Sequence, residues 1–324
     1  VIVIGVGSMG AAACWYLAQR GQKVLGLEQF DIPHDRGSHA GQTRIIRNAY
    51  FEHPDYVPLL QRAYKNWRAF ERHTASRFYH QTGMLYFGKG ENENIRGIRH
   101  AARVHDIAIE NWSHDKYESR YPGFHVPRDF DVIFEPDAGF VTPEHAIKMY
   151  VADAARKGAV IRPNTKVVSW RKQSRNIEVL TWENLYTCDK LIITAGAWAS
   201  EMIPDLKAEL MVTRQYLAWV APPDPAPFSL GKFPCWFVED PTLGTFYGFP
   251  VLPAEGFGPP IGLKLAHHHP GAPCNPGDMA EEIPAEEKEK IRRFLKNYLP
   301  DAGDALVAVK GCLYTYSPDT HFII

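Results

Sequence analysis

The chain has few of the marks of a secreted, membrane-spanning or nucleic-acid-binding protein. Among its 324 residues are five cysteines, Cys14, Cys188, Cys235, Cys274 and Cys312, odd in number, scattered and without a Cys-x-x-Cys pair. That spacing excludes a disulfide framework and a zinc site, and it fits a reducing compartment, read here as the cytoplasm. Basic side chains number 36 and acidic ones 37. With no excess of either sign there is no electrostatic footprint for nucleic acid or anionic lipid. No apolar run reaches the roughly 18 residues of a membrane span, and no basic stretch precedes an apolar one as in a signal peptide. Internal repeats and low-complexity tracts are also lacking. The chain starts inside a strand without an initiator Met and stops at the apolar run His321-Phe322-Ile323-Ile324, so it reads as a fragment.

What is present is an ordinary globular composition, 45% hydrophobic and 23% charged, long enough for two domains. The opening VIVIGVGSMG runs a β-branched strand into Gly5-x-Gly7-x-x-Gly10. Glycines at these positions allow a tight turn, backbone approach to a pyrophosphate and close packing of helix on strand. Residues 8–19 are Ala-rich and predict a helix closed by Gly21, whose N-terminus offers N–H groups to phosphate. A second strand over residues 23–27 ends at Glu28, 18 residues after Gly10, close to the usual separation of about 20 for the carboxylate that takes a ribose hydroxyl. This is a dinucleotide site, and by itself it does not separate NAD from FAD.

Further along, residues 31–42 read as a loop and a helix begins at Pro54, with Val57, Leu60, Tyr64 and Trp67 on one stripe. Thr142-Pro143 is an N-cap and first-turn pair for a helix running to Gly158. Short strands are predicted at 159–162, 167–170, 177–182, 191–194, 213–220, 246–249 and 261–267. An amphipathic helix spans 286–299, with Ile291, Phe294, Leu295 and Tyr298 inward and Glu286/Lys290 as an i,i+4 pair. Lys264 alternates with Ile261, Leu263 and Leu265 and so points to the opposite face of its strand; on residue type alone it would be a solvated lysine. The run His267-His268-His269 lacks metal-ligand spacing elsewhere, and no metal is expected.

Four ordered segments carry a family resemblance: the glycine fingerprint; Gly37-Ser38-His39-Ala40-Gly41-Gln42-Thr43-Arg44-Ile45-Ile46-Arg47; Phe246-Tyr247-Gly248-Phe249-Pro250 followed by Gly262-Leu263-Lys264-Leu265; and Cys312-Leu313-Tyr314-Thr315-Tyr316-Ser317-Pro318-Asp319. Together they resemble the monomeric sarcosine oxidase and N-methyltryptophan oxidase family of FAD-dependent amine oxidases. The resemblance implies an α/β, two-domain FAD-dependent oxidoreductase. One part is a Rossmann-like FAD domain of the p-hydroxybenzoate hydroxylase or D-amino-acid oxidase type (residues 1–80, 141–212 and 308–324). The other is a mixed-sheet substrate domain (81–140 and 213–307).

It also implies roles. Gly5, Gly7, Ser8, Met9, Gly10, Glu28, Ser38, Thr43, Val168 and Gly196 would line FAD, and Cys312 would link to it through sulfur. Arg44 would lie beside the flavin ring, Lys264 would assist O2 reduction and His268 would sit near the substrate. Arg47 would grip the substrate carboxylate, with Tyr247 close by. The expected reaction oxidises a secondary N-methyl amino acid, of the sarcosine or N-methyl-L-tryptophan type, to an imine. Water hydrolyses the imine to formaldehyde and the amino acid, and O2 becomes H2O2. A monomer is expected.

The chain departs from the family pattern at Ala40, Gln42 and Asn48, where His, Asp and His are usual, and it stops before the family's Gly-His-Gly-Phe-Lys segment. A chain truly ending there would have impaired activity. Alternatives are a cyclic imino acid (pipecolate or proline) oxidase, a flavin dehydrogenase, and a truncated non-catalytic flavin-binding remnant. An NAD-dependent dehydrogenase would leave Cys312 and Lys264 without a role.

Overall fold

The computed structural model describes residues 1–268, 271–278 and 282–323; His269 and Ile324 lie outside them. The first strand, Ile2–Ile4, is buried on both faces between Leu25–Leu27 and Leu191–Ile193, with Val160–Arg162 beyond, all parallel. A strand enclosed in this way needs apolar side chains on both faces, which explains why it reads as a continuous β-branched run. The helix Ser8–Gln19 follows as the sequence predicts. It packs against the helix Pro143–Arg156, which stops two residues before Gly158 (φ +91°). Thr142 stands at the N-cap without capping the helix: its hydroxyl goes to the Phe78 carbonyl at 3.5 Å.

Three helices, Ser8–Gln19, Val57–Thr74 and Pro143–Arg156, meet under this sheet around Phe70 and Tyr150, stacked at 3.8 Å, and Trp15. Within that apolar cluster lies one charge. Asp153 is 4% exposed and accepts from Trp15 Nε1 (2.7 Å) and His73 Nε2 (2.7 Å), with Arg156 Nη2 2.8 Å from its other oxygen. Each of the three helices thus contributes a group to a single carboxylate.

The second body is an eight-stranded sheet in the order Leu306–Tyr316, Met211–Val220, Leu263–His267, Gly244–Phe249, Cys235–Asp240, Met84–Gly88, Asp131–Glu135 and Glu110–Trp112. All neighbours are antiparallel except Cys235–Asp240 on Met84–Gly88. The Cys312 strand, expected to go with the cofactor domain, is hydrogen-bonded along Met211–Val220 at the edge of this sheet. Two-residue alternation sorts its side chains cleanly. Leu85, Ala218, Trp236, Phe246, Leu263 and Leu265 face the helix Ala285–Tyr298, where Phe294 stacks on Phe246 at 4.2 Å. Met84, Leu217, Trp219, Phe237, Tyr247, Phe249 and Cys312 face the opposite way.

Lys264 is on the second face, opposite Leu263 and Leu265 as the alternation requires. It is 2% exposed rather than solvated, and Ile261 lies before the strand, half exposed. A meander of Val167–Lys172, Ile177–Thr181 and Leu185–Cys188, and a small sheet of Arg44–Ile46, Gly139–Val141 and Tyr79–Gln81, complete the chain. No helix among the described residues is long and apolar enough to cross a membrane.

Asp153 yields a stability prediction. Burial opposes its charge, but the bonds from Trp15, His73 and Arg156 prevail and hold the carboxyl well below the usual carboxylate range. A folded-state value below the unfolded one stabilises the native state at neutral pH, and this contribution disappears as pH falls below about 4. Asp153→Ala is expected to lower unfolding free energy by about 3 kcal/mol at pH 7. In urea titrations the difference from wild type shrinks toward pH 3; a loss below 1 kcal/mol at pH 7 would refute the role.

Candidate active site

The glycine loop is built as its spacing demands. Gly5 has φ +86°, and a Cβ there would come within 2.6 Å of the Thr194 carbonyl oxygen. A Cβ on Gly10 would overlap the Gly5 carbonyl oxygen. Gly7, by contrast, faces only the His39 ring at van der Waals distance and caps the Ser8–Gln19 helix without a side-chain bond. Its surroundings, with Ser8 and the 73%-exposed Met9 at the helix start, leave backbone N–H groups turned outward for an anion. That cradle fits the pyrophosphate of FAD.

Glu28 is buried. One oxygen accepts from Val6 N at 2.7 Å and the other from Phe30 N at 3.1 Å, so it fastens the loop and keeps a second lone pair on each oxygen for a ribose hydroxyl. Gly196 (φ +54°) follows the neighbouring strand Leu191–Ile193. Val168 is half exposed beside Val167, which packs on Ile2, Ile4 and Leu27.

Residues 37–52 cross from this loop to the large sheet. Ser38 Oγ donates to the Leu313 carbonyl at 2.6 Å, bringing the loop against the Cys312 strand. Arg44 gathers the loop onto itself by donating to the carbonyls of Ser38 (2.9 Å), Thr43 (2.8 Å) and Ala40 (2.7 Å), and its Nη2 lies 3.3 Å from Cys312 Sγ. Ala40 is enclosed and serves through its carbonyl. Lys264 Nζ donates to Gly41 O (2.6 Å), Thr43 O (2.9 Å) and Thr43 Oγ1 (2.9 Å), and lies over the rings of Phe249 (4.5 Å) and Trp219 (5.6 Å). Burial, reinforced by Arg44, pulls this lysine well below its ordinary pKa. Its three oxygen contacts satisfy the buried nitrogen: two carbonyls that accept and a hydroxyl that either accepts or donates.

Tyr247 and Tyr314 are hydrogen-bonded to each other beside Arg44 and Cys312, and burial pushes both phenols up, so they remain protonated. His268 Nδ1 is 3.4 Å from Tyr314 Oη. His267 goes elsewhere, its Nδ1 3.2 Å from Glu287 Oε1, so the two imidazoles do not converge.

From His268 a chain of rings leads away from Cys312: Phe237 at 6.2 Å, then Phe51 at 5.1 Å, on which the Arg47 guanidinium lies at 4.0 Å, with Tyr50 at 4.4 Å. Arg47 Nη2 donates to both oxygens of Glu52 (2.8 and 3.0 Å), while its buried Nη1 has no partner. Glu135, fully buried, accepts from the backbone of Asn48 (2.6 Å) and Ala49 (3.2 Å) and from Tyr86 Oη (2.7 Å), holding the segment just after Arg47.

The site residues named from sequence therefore fall in two groups. Ser38, Thr43, Arg44, Tyr247, Lys264, His268 and Cys312 come together, with Arg47 across the rings. Gly5, Gly7, Ser8, Met9, Gly10, Glu28, Val168 and Gly196 lie around the parallel sheet, joined to the first group through His39. Nothing in the sequence marks Glu52, Glu135 or Glu144, since each acts on a backbone or guanidinium group that only the fold brings near. Tyr314 stood in register in the Cys312 motif and could have been read as its side-chain neighbour across the alternation.

Comparison with known proteins shows the family. The family model of FAD dependent oxidoreductases matches residues 1–324. The monomeric sarcosine oxidase of Bacillus sp. (strain B-0618) is 36% identical over 329 residues, covering 100% of this chain and 83% of that protein. The N-methyl-L-tryptophan oxidase of Yersinia pestis (strain Pestoides F) is 31% identical over 328 residues, covering 100% and 85%. Among solved structures, the open form of NikD, an unusual amino acid oxidase, superposes with a TM-score of 0.85 at 23% identity, over 98% of this chain and 81% of that one. The L-proline dehydrogenase of P. horikoshii does so at 0.80 and 16% identity, over 98% and 81%. These two show a shared fold. The chain belongs to the family of FAD-dependent oxidoreductases.

Proposed function

We propose that this protein is an FAD-dependent amine oxidase that oxidises a secondary N-methyl amino acid of the sarcosine or N-methyl-L-tryptophan type, as a monomer in the cytoplasm. The observation that carries the reading is the aromatic-lined interval between Arg47, with its buried unpartnered Nη1, and the Arg44–Lys264–Cys312 cluster. The names of its relatives support it, and five free cysteines fit a reducing compartment.

FAD, when bound, supplies the redox chemistry: it takes two electrons from the amine and delivers them to O2, giving H2O2. The protein's part is positioning and charge. Arg47 takes the substrate carboxylate in a fork, for which Nη1 is ready and Nη2 is released by Glu52. Phe51, Phe237 and Tyr247 exclude water and hold the N-alkyl part. Arg44 is already cationic in this enclosed region, so a further positive charge is disfavoured and the amine binds unprotonated. Water then hydrolyses the imine to formaldehyde and the primary amino acid. Lys264, caged by fixed carbonyls, stabilises negative charge on O2 as it is reduced. Cys312 tethers FAD through sulfur, next to the Arg44 cation.

Two experiments test these assignments. In acid precipitation of the holoprotein, flavin colour is expected in the pellet for wild type and in the supernatant for Cys312→Ala; colour in both supernatants would refute the tether. Arg47→Ala is expected to reduce kcat/KM for the N-methyl amino acid about 100-fold, mostly through KM, with the flavin spectrum kept. The same variant should leave oxidation of an N-methyl amine lacking the carboxylate unchanged. Equal losses on both substrates would remove Arg47 from carboxylate binding.

A further inference from the structure

The cage around Lys264 depends on a turn that is unusual for its residues. Gly41 has φ +108° and Gln42, not a glycine, has φ +69°. Two consecutive left-handed residues turn the carbonyls of Gly41 and Thr43 toward Lys264 Nζ and expose the N–H groups of Gly41 and Gln42 on the other side. Both N–H groups are taken by one oxygen of Glu144, at 2.6 and 3.0 Å. Its second oxygen is buried with no hydrogen-bond partner.

Gln42 is held on the far side as well: its amide donates to the carbonyls of Gly258 and Pro260 (2.9 and 3.0 Å) and accepts from Trp219 Nε1 (3.0 Å). A left-handed non-glycine residue costs on the order of 1 kcal/mol and persists only when its surroundings over-determine it. Here the carboxylate on one side and the amide contacts on the other do so.

We infer that Glu144 is a positioning residue for Lys264: it clamps the 41–43 turn into the shape that cages Nζ and sets one buried carboxylate behind that turn. The inference rests on the proposed role of Lys264 toward O2. The groups facing Lys264 are few. Burial, then Arg44, disfavours its charge; Glu144 is the carboxylate that favours it, while Cys312 and Cys235 face it as sulfur groups. Trp219 and Phe249 offer ring faces, and the remaining contacts are the three oxygens already named. Removing the Glu144 charge while keeping its shape should therefore make Lys264 lose its proton at lower pH.

Glu144→Gln achieves that separation. The amide oxygen can still accept from Gly41 and Gln42, and the amide nitrogen falls where the carboxylate had no partner, so the fold is retained. Two readouts on the holoenzyme test the inference: the rate at which substrate-reduced enzyme is reoxidised by O2 across pH, and the protonation of Lys264 followed by side-chain NMR, its resonance assigned by its loss in Lys264→Met. Glu144→Gln is expected to slow reoxidation about tenfold at neutral and higher pH, the scale on which groups that orient an active residue act. The Lys264 resonance should titrate at lower pH.

Unchanged reoxidation in Glu144→Gln would overturn the inference, and so would slowed reoxidation with an unmoved Lys264 resonance. Lys264→Met separately checks the underlying reading. It should slow reoxidation by about 100-fold or more; if it does not, the assignment of Lys264 to O2 fails, whatever Glu144 does.

Discussion

A buried ammonium joins the two halves of this molecule. Lys264 rises from the middle of the large sheet and meets the carbonyls of Gly41 and Thr43, which belong to the loop leaving the glycine-rich unit. A charge taken out of water must recover its hydrogen bonds locally. The loop therefore has one productive conformation, and that conformation places everything else. Arg44, next in the chain, folds back onto the Ser38, Ala40 and Thr43 carbonyls and reaches Cys312. Three residues further, the chain delivers Arg47 to the far end of the aromatic interval.

The electrostatics of the site follow from the same enclosure. An arginine, a lysine, two tyrosines and a cysteine share a region with little solvent, where each group's state depends strongly on its neighbours. Burial pushes Lys264 toward neutrality while its oxygen cage, with Glu144 behind the turn, favours charge. Such opposed tendencies are characteristic of sites where charge must be stabilised only as a reaction proceeds. Arg47 shows the same economy in another form: Glu52 occupies one nitrogen of its guanidinium and leaves the other buried and unused.

The glycine-rich unit has a quieter role. Its helices are fastened around Asp153, away from the chemistry, and its loop is fastened by Glu28 through the Val6 and Phe30 N–H groups. Glu28 is thus a structural residue whose carboxylate still has acceptor capacity, because each oxygen has two lone pairs.

Much of this was readable along the chain. The glycine spacing, the buried strand before it and Glu28 after it specify a local unit, and local periodicity was enough to find it. Alternation assigned Lys264 to the face opposite Leu263 and Leu265, though not to a buried place, because period-two patterning says which side a residue takes and nothing about what covers that side. The strands from Tyr79 to Glu135 and the helices Glu93–His105 and His114–Arg120 between them carried no signal of comparable strength, and the pairing of the Cys312 strand with Met211–Val220 was not legible either: pairing between residues a hundred apart is set by the sheet, not by local sequence. What the sequence alone determined, then, was the FAD-dependent family and the glycine-rich unit at its start. Only the tertiary structure decided their company, Glu52 on Arg47, Glu135 behind Asn48 and Glu144 behind the Lys264 cage, because these are contacts to backbone and guanidinium N–H groups that every chain has and only folding aims.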